Sequence, residues 1–248
     1  MITIKSAQQI EKMRASAQVT KEALLLLEKH IKPGVTTAQL DKIAYDFILS
    51  KGAKPNFLHY GGFPASICTS VNDVVVHGIP EKSRVLREGD IISIDMGAVL
   101  DGFHSDAART FPVGKISEEA KRLIDVTKES FFEGIKYLKH GAKLGDVSFA
   151  IQSFVESNGY SVVRDLVGHG IGRELHEDPS VPNFGKAGKG VKLAAGMTLA
   201  IEPMVNAGGY EVSVLDDEWT VVTDDGSLSA HYENTVLVTK DGYEILTL

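Results

Sequence analysis

Five side chains in this sequence could together hold metal ions: Asp95, Asp106, His169, Glu202 and Glu233. Asp95 follows Ile91-Ile92-Ser93-Ile94, and Glu202 follows Leu199-Ala200-Ile201, so an apolar strand would carry each carboxylate into the interior. An unpaired charge there is very costly, and neither run contains a Lys or Arg to neutralise it. Asp101-Gly102 marks a two-residue hairpin loop in which Leu100 opposes Phe103 and Gly97 opposes Asp106. Alternation then puts Asp95, Gly97 and Asp106 on one face, with the two aspartates as diagonal neighbours. Like charges so close need a cation between them. Glu233 lies in another β-like run, Ala230-His231-Tyr232-Glu233-Asn234-Thr235-Val236, and periodicity does not determine its distance from Glu202. Four carboxylates and one neutral imidazole match the charge of two divalent cations, and such an oxygen-rich set suits Mn, Fe, Co or Zn. Two ions roughly 3.5–4 Å apart would activate a water and stabilise a tetrahedral oxyanion. The residues point to a dinuclear hydrolase and leave its substrate open.

Histidine and glycine placement adds to this. Gly168-His169-Gly170-Ile171-Gly172 surrounds a histidine with residues that let the backbone come close to a ligand. His176 precedes Glu177-Asp178-Pro179, and Val74-Val75-Val76 ends at His77. His30, His59, His104, His140 and His231 read as surface or hydrogen-bonded residues. No glycine-rich phosphate loop of either common type follows a strand, which argues against a nucleotide enzyme.

These side chains need elements to position them. Ser6 with Gln9 and Thr36 with Gln39 form capping boxes that open helices running to about Lys29 and to Gly52. Ser117 opens a third helix running to about Lys139, and Asp146 caps a fourth that closes at Gly159. Strands are expected at 66–70, 74–76, 91–96, 198–202 and 231–238. Gly34 and Gly141 lie 107 positions apart, as do Phe47 and Phe154, Gly52 and Gly159, and the runs Leu86–Asp95 and Leu193–Glu202. One unbroken register across helices and strands implies a duplicated helix-helix-strand unit, with pseudo-repeats about 1–115 and 116–248 in a single domain. Helices followed by antiparallel strands in each half give an α+β class, with helices on one face of a shared sheet.

The 248 residues are 43% hydrophobic and 24% charged, an ordinary globular composition that excludes disorder for the bulk of the chain. A net charge of -7 offers no basic footprint for nucleic acid and no polybasic membrane patch. The lone cysteine, Cys68, fits a reducing compartment. With no apolar signal core near Met1 and no run approaching the roughly 20 residues of a bilayer span, a cytoplasmic protein is expected.

At these residues the chain resembles the bacterial type I methionine aminopeptidases, within the pita-bread metallopeptidases of family M24. The likeness covers essentially the whole sequence. It rests on Asn72-Asp73-Val74-Val75-Val76-His77-Gly78-Ile79-Pro80, Ile94-Asp95 with Asp101–Asp106, and Gly168–Gly172. Leu175–Pro179, Ile201–Asn206 and Tyr232–Thr235 complete it. The resemblance implies a pita-bread (creatinase/aminopeptidase) fold, two pseudo-two-fold halves around a curved antiparallel sheet. By resemblance Asp95 chelates one metal, Asp106 and Glu233 bridge two, and His169 and Glu202 hold the other. Glu202 would also be the general base, His176 would steady the carbonyl oxygen, and His77 would contact the substrate amide. Tyr60, Phe63, Cys68 and Trp219 would line a methionine pocket, with Trp219 on a strand, and Asn72 and Ser229 would help hold a monovalent cation. The implied reaction removes the initiator methionine from nascent chains whose second residue is small, by a monomer in possible transient contact with the ribosome. Two residues depart from the family pattern: Leu175 replaces an aromatic residue, and Asn234 replaces a histidine beside Glu233.

Two other readings compete. X-Pro-specific pita-bread peptidases usually carry a domain before the catalytic one, and a first metal aspartate at residue 95 leaves no room for it. Non-catalytic binding modules on the same fold typically lose metal ligands, whereas all five are present.

Overall fold

The computed structural model describes residues 1–248, whose elements fall into two runs of the same kind. The first comprises α1 (Ala7–Glu28), α2 (Thr37–Ser50), β1 (Lys54–Pro55), β2 (Ile67–Val71), β3 (Val74–Val76), β4 (Ile91–Leu100) and β5 (Phe103–Pro112). The second opens with α3 (Glu118–Ile135), α4 (Leu144–Ser157), β6 (Ser161–Val162), β7 (Gly168–Gly170) and β8 (Glu177–Val181). It continues through β9 (Thr198–Ile201), β10 (Met204–Asn206), β11 (Val212–Val214) and β12 (Val221–Thr223) to β13 (Ser229–His231), β14 (Asn234–Val238) and β15 (Tyr243–Ile245). No helix is long and apolar enough to cross a membrane.

Local chemistry starts the helices. Ser6 Oγ accepts the Gln9 N–H at 3.3 Å while Gln9 Oε1 accepts the Ser6 N–H at 2.8 Å. Thr36 and Gln39 repeat the exchange at 3.2 and 2.8 Å. Each box pairs N–H groups that a first turn would otherwise leave unpaired. The fourth helix departs from expectation. Its cap is Lys143, and Asp146 sits three residues inside, accepting the Lys143 N–H at 3.3 Å and the Gly188 N–H at 2.6 Å. An acid suits the positive end of a helix whether or not it is the cap, so Asp146 imitates one in the sequence. α3 also stops earlier than expected, because the Tyr137 and Leu138 N–H groups turn back to Gly134 O and Ile135 O, at 3.1 and 2.9 Å.

The offset of 107 recurs in the elements: α2 and α4 are displaced by it at both ends, as are β1 and β6. Pro55 and Lys54 pair with Ala98 and Val99, and Val162 and Ser161 pair with Val205 and Asn206. Gly34, Gly52 and Gly89 adopt φ of 92°, 72° and 93°, and Gly141, Gly159 and Gly196 adopt 86°, 83° and 92°. Only glycine enters this region without strain, so the spacing of these residues records shared turns. α1 and α2 cover β2, β4 and β5 through Leu27, Leu40, Ile48, Ile94 and Met96. α3 and α4 cover the second-half strands through Leu123, Phe131, Val147, Leu199 and Val236. Every strand pairing is antiparallel.

The halves differ where it matters for the site. β4 and β5 run unbroken for ten residues each, but the second-half equivalents break at Glu202-Pro203 and at Tyr232-Glu233. The strand expected over 198–202 therefore stops at Ile201, short of Glu202, and the one expected over 231–238 divides around Glu233. A proline has no N–H for a ladder, which accounts for the first break. The halves meet where β3 pairs with β12 and, beside the candidate ligands, along a central seam. Ala108 N–H donates to Glu233 O at 3.4 Å, and Glu233 N–H donates to Ala108 O at 2.9 Å. Thr235 Oγ1 bonds both backbone groups of Asp106, and Thr110 Oγ1 bonds both of His231. β5 thus lies antiparallel to the β13–β14 line, with 106, 108 and 110 facing 235, 233 and 231.

Candidate metal centre

Asp95 lies in the middle of β4, opposite Cys68 of β2 and Ala108 of β5. The loop after β4 has Asp101 and Gly102 at φ 50° and 75°, the left-handed pair of a type I′ turn, and Gly97 faces Asp106. Only glycine fits at 97, since a Cβ there would lie 2.3 Å from Ser105 O. In the second half Met204 pairs with His231 and Ile201 with Asn234, one register across the break, which sets Glu202 opposite Glu233. The seam then brings Glu233 beside Ala108, and the four carboxylates converge from both halves. Asp106, His169 and Glu233 offer ligand atoms within 4.8 Å of one another.

His169 arrives from β7, paired with Ala200. Its flanking glycines serve a different purpose from the ligand approach expected of them. A Cβ at Gly168 would lie 2.4 Å from Ala200 O, and one at Gly170 would lie 2.2 Å from Asp178 O. They let β8 and β9 close on either side of the histidine. His169 Nδ1 lies 2.8 Å from Gly170 O, so it carries the proton and leaves the Nε2 lone pair free for a metal. That Nε2 stands 3.7 Å from Glu202 Oε1 and 3.9 Å from Asp106 Oδ2. Burial first, and the neighbouring His176 second, push its pKa down to about 3, which keeps the ring neutral.

Burial raises Asp106, Glu202 and Glu233 well above the usual carboxylate range, and the neighbouring carboxylates add to it. Burial lifts Asp95 to about 7, against hydrogen bonds with Glu233 and Asp106. The need for a counter-charge is visible atom by atom. Asp95 Oδ1, Asp106 Oδ1 and Glu233 Oε1 are buried without a hydrogen-bond partner, and each such acceptor costs about 1–3 kcal/mol or more. Oxygen donors, one imidazole and no thiolate among them fit divalent cations of the Mn, Fe, Co and Zn kind.

All five ligand candidates line one cavity of about 160 Å³ together with His77, His176, Tyr60, Phe63, Cys68 and Trp219. Phe57 and Leu175 complete the lining. Phe57 went unnoticed in the sequence, where one aromatic residue after a two-residue strand gives no signal. Trp219 stands edge-on to Phe63 at 5.2 Å and to His77 at 6.4 Å. It belongs to a turn and not to a strand: Asp217 Oδ1 accepts its N–H at 2.9 Å and that of Thr220 at 2.7 Å. The Tyr60 hydroxyl meets His176 Nδ1 at 2.7 Å. Burial and then Asp95 drive the Cys68 thiol well up, which makes it a small apolar wall group.

Four further residues lie around this centre. Ser229 N–H donates to Asn72 O at 2.9 Å, so the two residues named for a monovalent cation are adjacent. Asn234 Oδ1 accepts from Arg109 Nη2 at 2.7 Å and from Thr247 Oγ1 at 2.9 Å, tying the seam to the C-terminal segment. His231 corrects its bland reading. It is 1% exposed and neither ring nitrogen has a hydrogen-bond partner.

The chain matches the model of metallopeptidase family M24 over residues 11–240. It is 61% identical over 248 residues to a methionine aminopeptidase of Clostridium acetobutylicum, covering 100% of this chain and 99% of that one. The crystal structure of methionine aminopeptidase from Rickettsia prowazekii is similar at a TM-score of 0.98 and 48% identity, with 100% of both chains covered. A prolidase from Pyrococcus furiosus reaches a TM-score of 0.80 at 22% identity, covering 99% of this chain and 65% of that one, a likeness of fold alone.

Proposed function

We infer, from the premise that this chain belongs to metallopeptidase family M24 and has its pita-bread fold, how it works as a methionine aminopeptidase. Asp95, Asp106, His169, Glu202 and Glu233 would hold two divalent ions, which would supply a water of lowered pKa and a counter-charge for the oxyanion. Glu202 takes the proton from the attacking water and passes it to the leaving amine. With the Tyr60 hydroxyl donating to His176 Nδ1, the ring keeps its proton on Nε2 and presents that N–H to the tetrahedral oxygen. His77, at φ 59° on the end of β3, contacts the substrate amide. Phe63, Cys68 and Trp219, with Phe57 and Leu175, surround the methionine side chain, a soft thioether suited to aromatic edges.

The observation that carries this reading is the single small cavity. Its wall joins four carboxylates, three of them with buried partnerless oxygens, to the aromatic side chains of Phe57, Phe63 and Trp219. The substrate is the N-terminus of a newly made protein whose second residue is small, met in the cytoplasm by a monomer, in transient contact with the ribosome. Asn72 and Ser229 contribute to a monovalent-cation site beside the centre. The test is methionine release from Met-Ala-Ser and from Met-Ile-Ser with added divalent ions. Cleavage of the first and sparing of the second is expected, and equal rates on both would overturn the small-residue rule.

A further inference from the structure

We propose that His231 is a positioning residue for Glu202, donating its Nε2–H to Glu202 Oε2 and fixing the direction in which that carboxylate faces the attacking water. The inference rests on Glu202 being the general base. It starts from the registers on either side of the seam. Gly97 pairs with Asp106, two residues along from Asp95, and Met204 pairs with His231, two residues along from Glu202. His231 therefore stands to Glu202 as Asp106 stands to Asp95. The seam says the same, since 106, 108 and 110 face 235, 233 and 231, a relation that exchanges the two halves. Where the first half places a carboxylate, the second places an imidazole.

Geometry then shows what the imidazole is for. His231 Nε2 lies 3.7 Å from Glu202 Oε2, while His169 Nε2 lies 3.7 Å from Glu202 Oε1. The carboxylate sits between two rings, one on each oxygen. His169 gives its proton to Gly170 O and can offer Glu202 no hydrogen bond, so only His231 can hold the carboxylate by donation. Its backbone cannot drift, because Thr110 Oγ1 accepts the His231 N–H at 2.8 Å and donates to its C=O at 2.9 Å. Ser93 Oγ holds Thr110 Oγ1 in turn, at 2.8 Å. Glu202 is anchored at its own carbonyl by Asn183 Nδ2, at 3.0 Å. Both partners thus have fixed main chains, and a modest tilt of the Glu202 side chain closes the remaining gap to hydrogen-bond length. No other polar atom competes for the ring, since both nitrogens are buried and without a partner.

The test compares His231→Gln, which places an amide N–H near the site of Nε2, with His231→Asn, which is one methylene too short. Each is assayed as the metal-loaded enzyme on Met-Ala-Ser, with Mn2+ binding measured separately by calorimetry. Loss of the hydrogen bond should lower kcat about 10- to 100-fold in the Asn variant, with KM and Mn2+ affinity within about threefold of wild type. The Gln variant should recover most of kcat. Nitrogen-15 NMR of the histidine-labelled native protein, which needs no activity, should find the His231 proton on Nε2. Equal kcat in the two variants, or a proton on Nδ1, would overturn the proposal. Glu202→Gln separates the two levels: if it keeps wild-type kcat the general-base reading fails, and if it is inactive while His231→Asn is not, only the positioning role fails.

Discussion

Glu202 is asked to be two things, a metal ligand and a proton acceptor, and its surroundings suit both. In the metal-free protein burial raises its affinity for protons, and Asp95 raises it further. Removing the carboxylate by Glu202→Ala should abolish methionine release, a loss of at least about 100-fold, while the far-UV circular dichroism stays native. Wild-type turnover in that variant would contradict the proton transfer assigned to it. The neighbouring carboxylates lead to a second expectation at this scale. Burial lifts Asp95 to about 7 and raises Asp106 and Glu233 well above the ordinary carboxylate range, so the metal-free site carries protons that a cation must displace. Titrating Mn2+ into metal-free protein at pH 7, in two buffers of different ionisation heat, should show proton release. Binding heats independent of the buffer would mean that the carboxylates enter already ionised.

At the scale of elements, β7 carries His169 between two strands so close that neither neighbouring position tolerates a side chain. Gly168→Ala puts a methyl 2.4 Å from Ala200 O, and overpacking of this kind costs about 1–3 kcal/mol in urea unfolding. A variant of wild-type stability would show that β9 can yield. The N-terminal arm is tied to β8 by Lys5 and Glu177, 2.6 Å apart, with side chains only 5% and 10% exposed. Burial alone would raise the Glu177 pKa, but hydrogen bonds from Lys5 and Thr3 overcome it and hold the carboxylate below its ordinary 4.5. With the folded pKa depressed, the pair contributes its full stability above about pH 4.5 and loses it as the pH falls through the folded value. Glu177→Gln should therefore destabilise the chain by about 3–5 kcal/mol at pH 7, with the gap from wild type narrowing in acid. A constant gap across pH would remove the ion pair as its cause. Elements of this kind were legible in the sequence where the interaction is local. The boxes at Ser6 and Thr36 close within three residues, and the Asp101-Gly102 turn dictates the pairing that joins Asp95 to Asp106. What lay beyond reading is set by contacts distant in sequence. Glu233 reaches Glu202 through a register between strands that are not consecutive, and the break at Tyr232-Glu233 lies where Glu233 bonds to Ala108 of the other half. His231 looked ordinary because nothing nearby in sequence shows that it is buried without a partner.

Across the whole molecule, we propose that the chain divides into halves at about residues 1–115 and 116–248, each of which supplies only part of the ligand set. Asp95 and Asp106 come from the first, and His169, Glu202 and Glu233 from the second, so the ions bind across the seam and should brace it. In the metal-free protein the raised carboxylate pKa values give the opposite sign to Glu177. A folded state that holds protons the unfolded chain has lost becomes less stable as the pH rises from about 4 towards 7 and above. The melting temperature of metal-free protein should fall between pH 5 and pH 8, and divalent ions should restore it most at pH 8. The decisive measurement is methionine release from Met-Ala-Ser by fully demetallated protein as Mn2+ or Co2+ is added back. Activity should be absent at the start, rise with the ions, and stay absent in Asp106→Asn. Metal-independent cleavage, or none under any divalent ion, would contradict the dinuclear aminopeptidase described above.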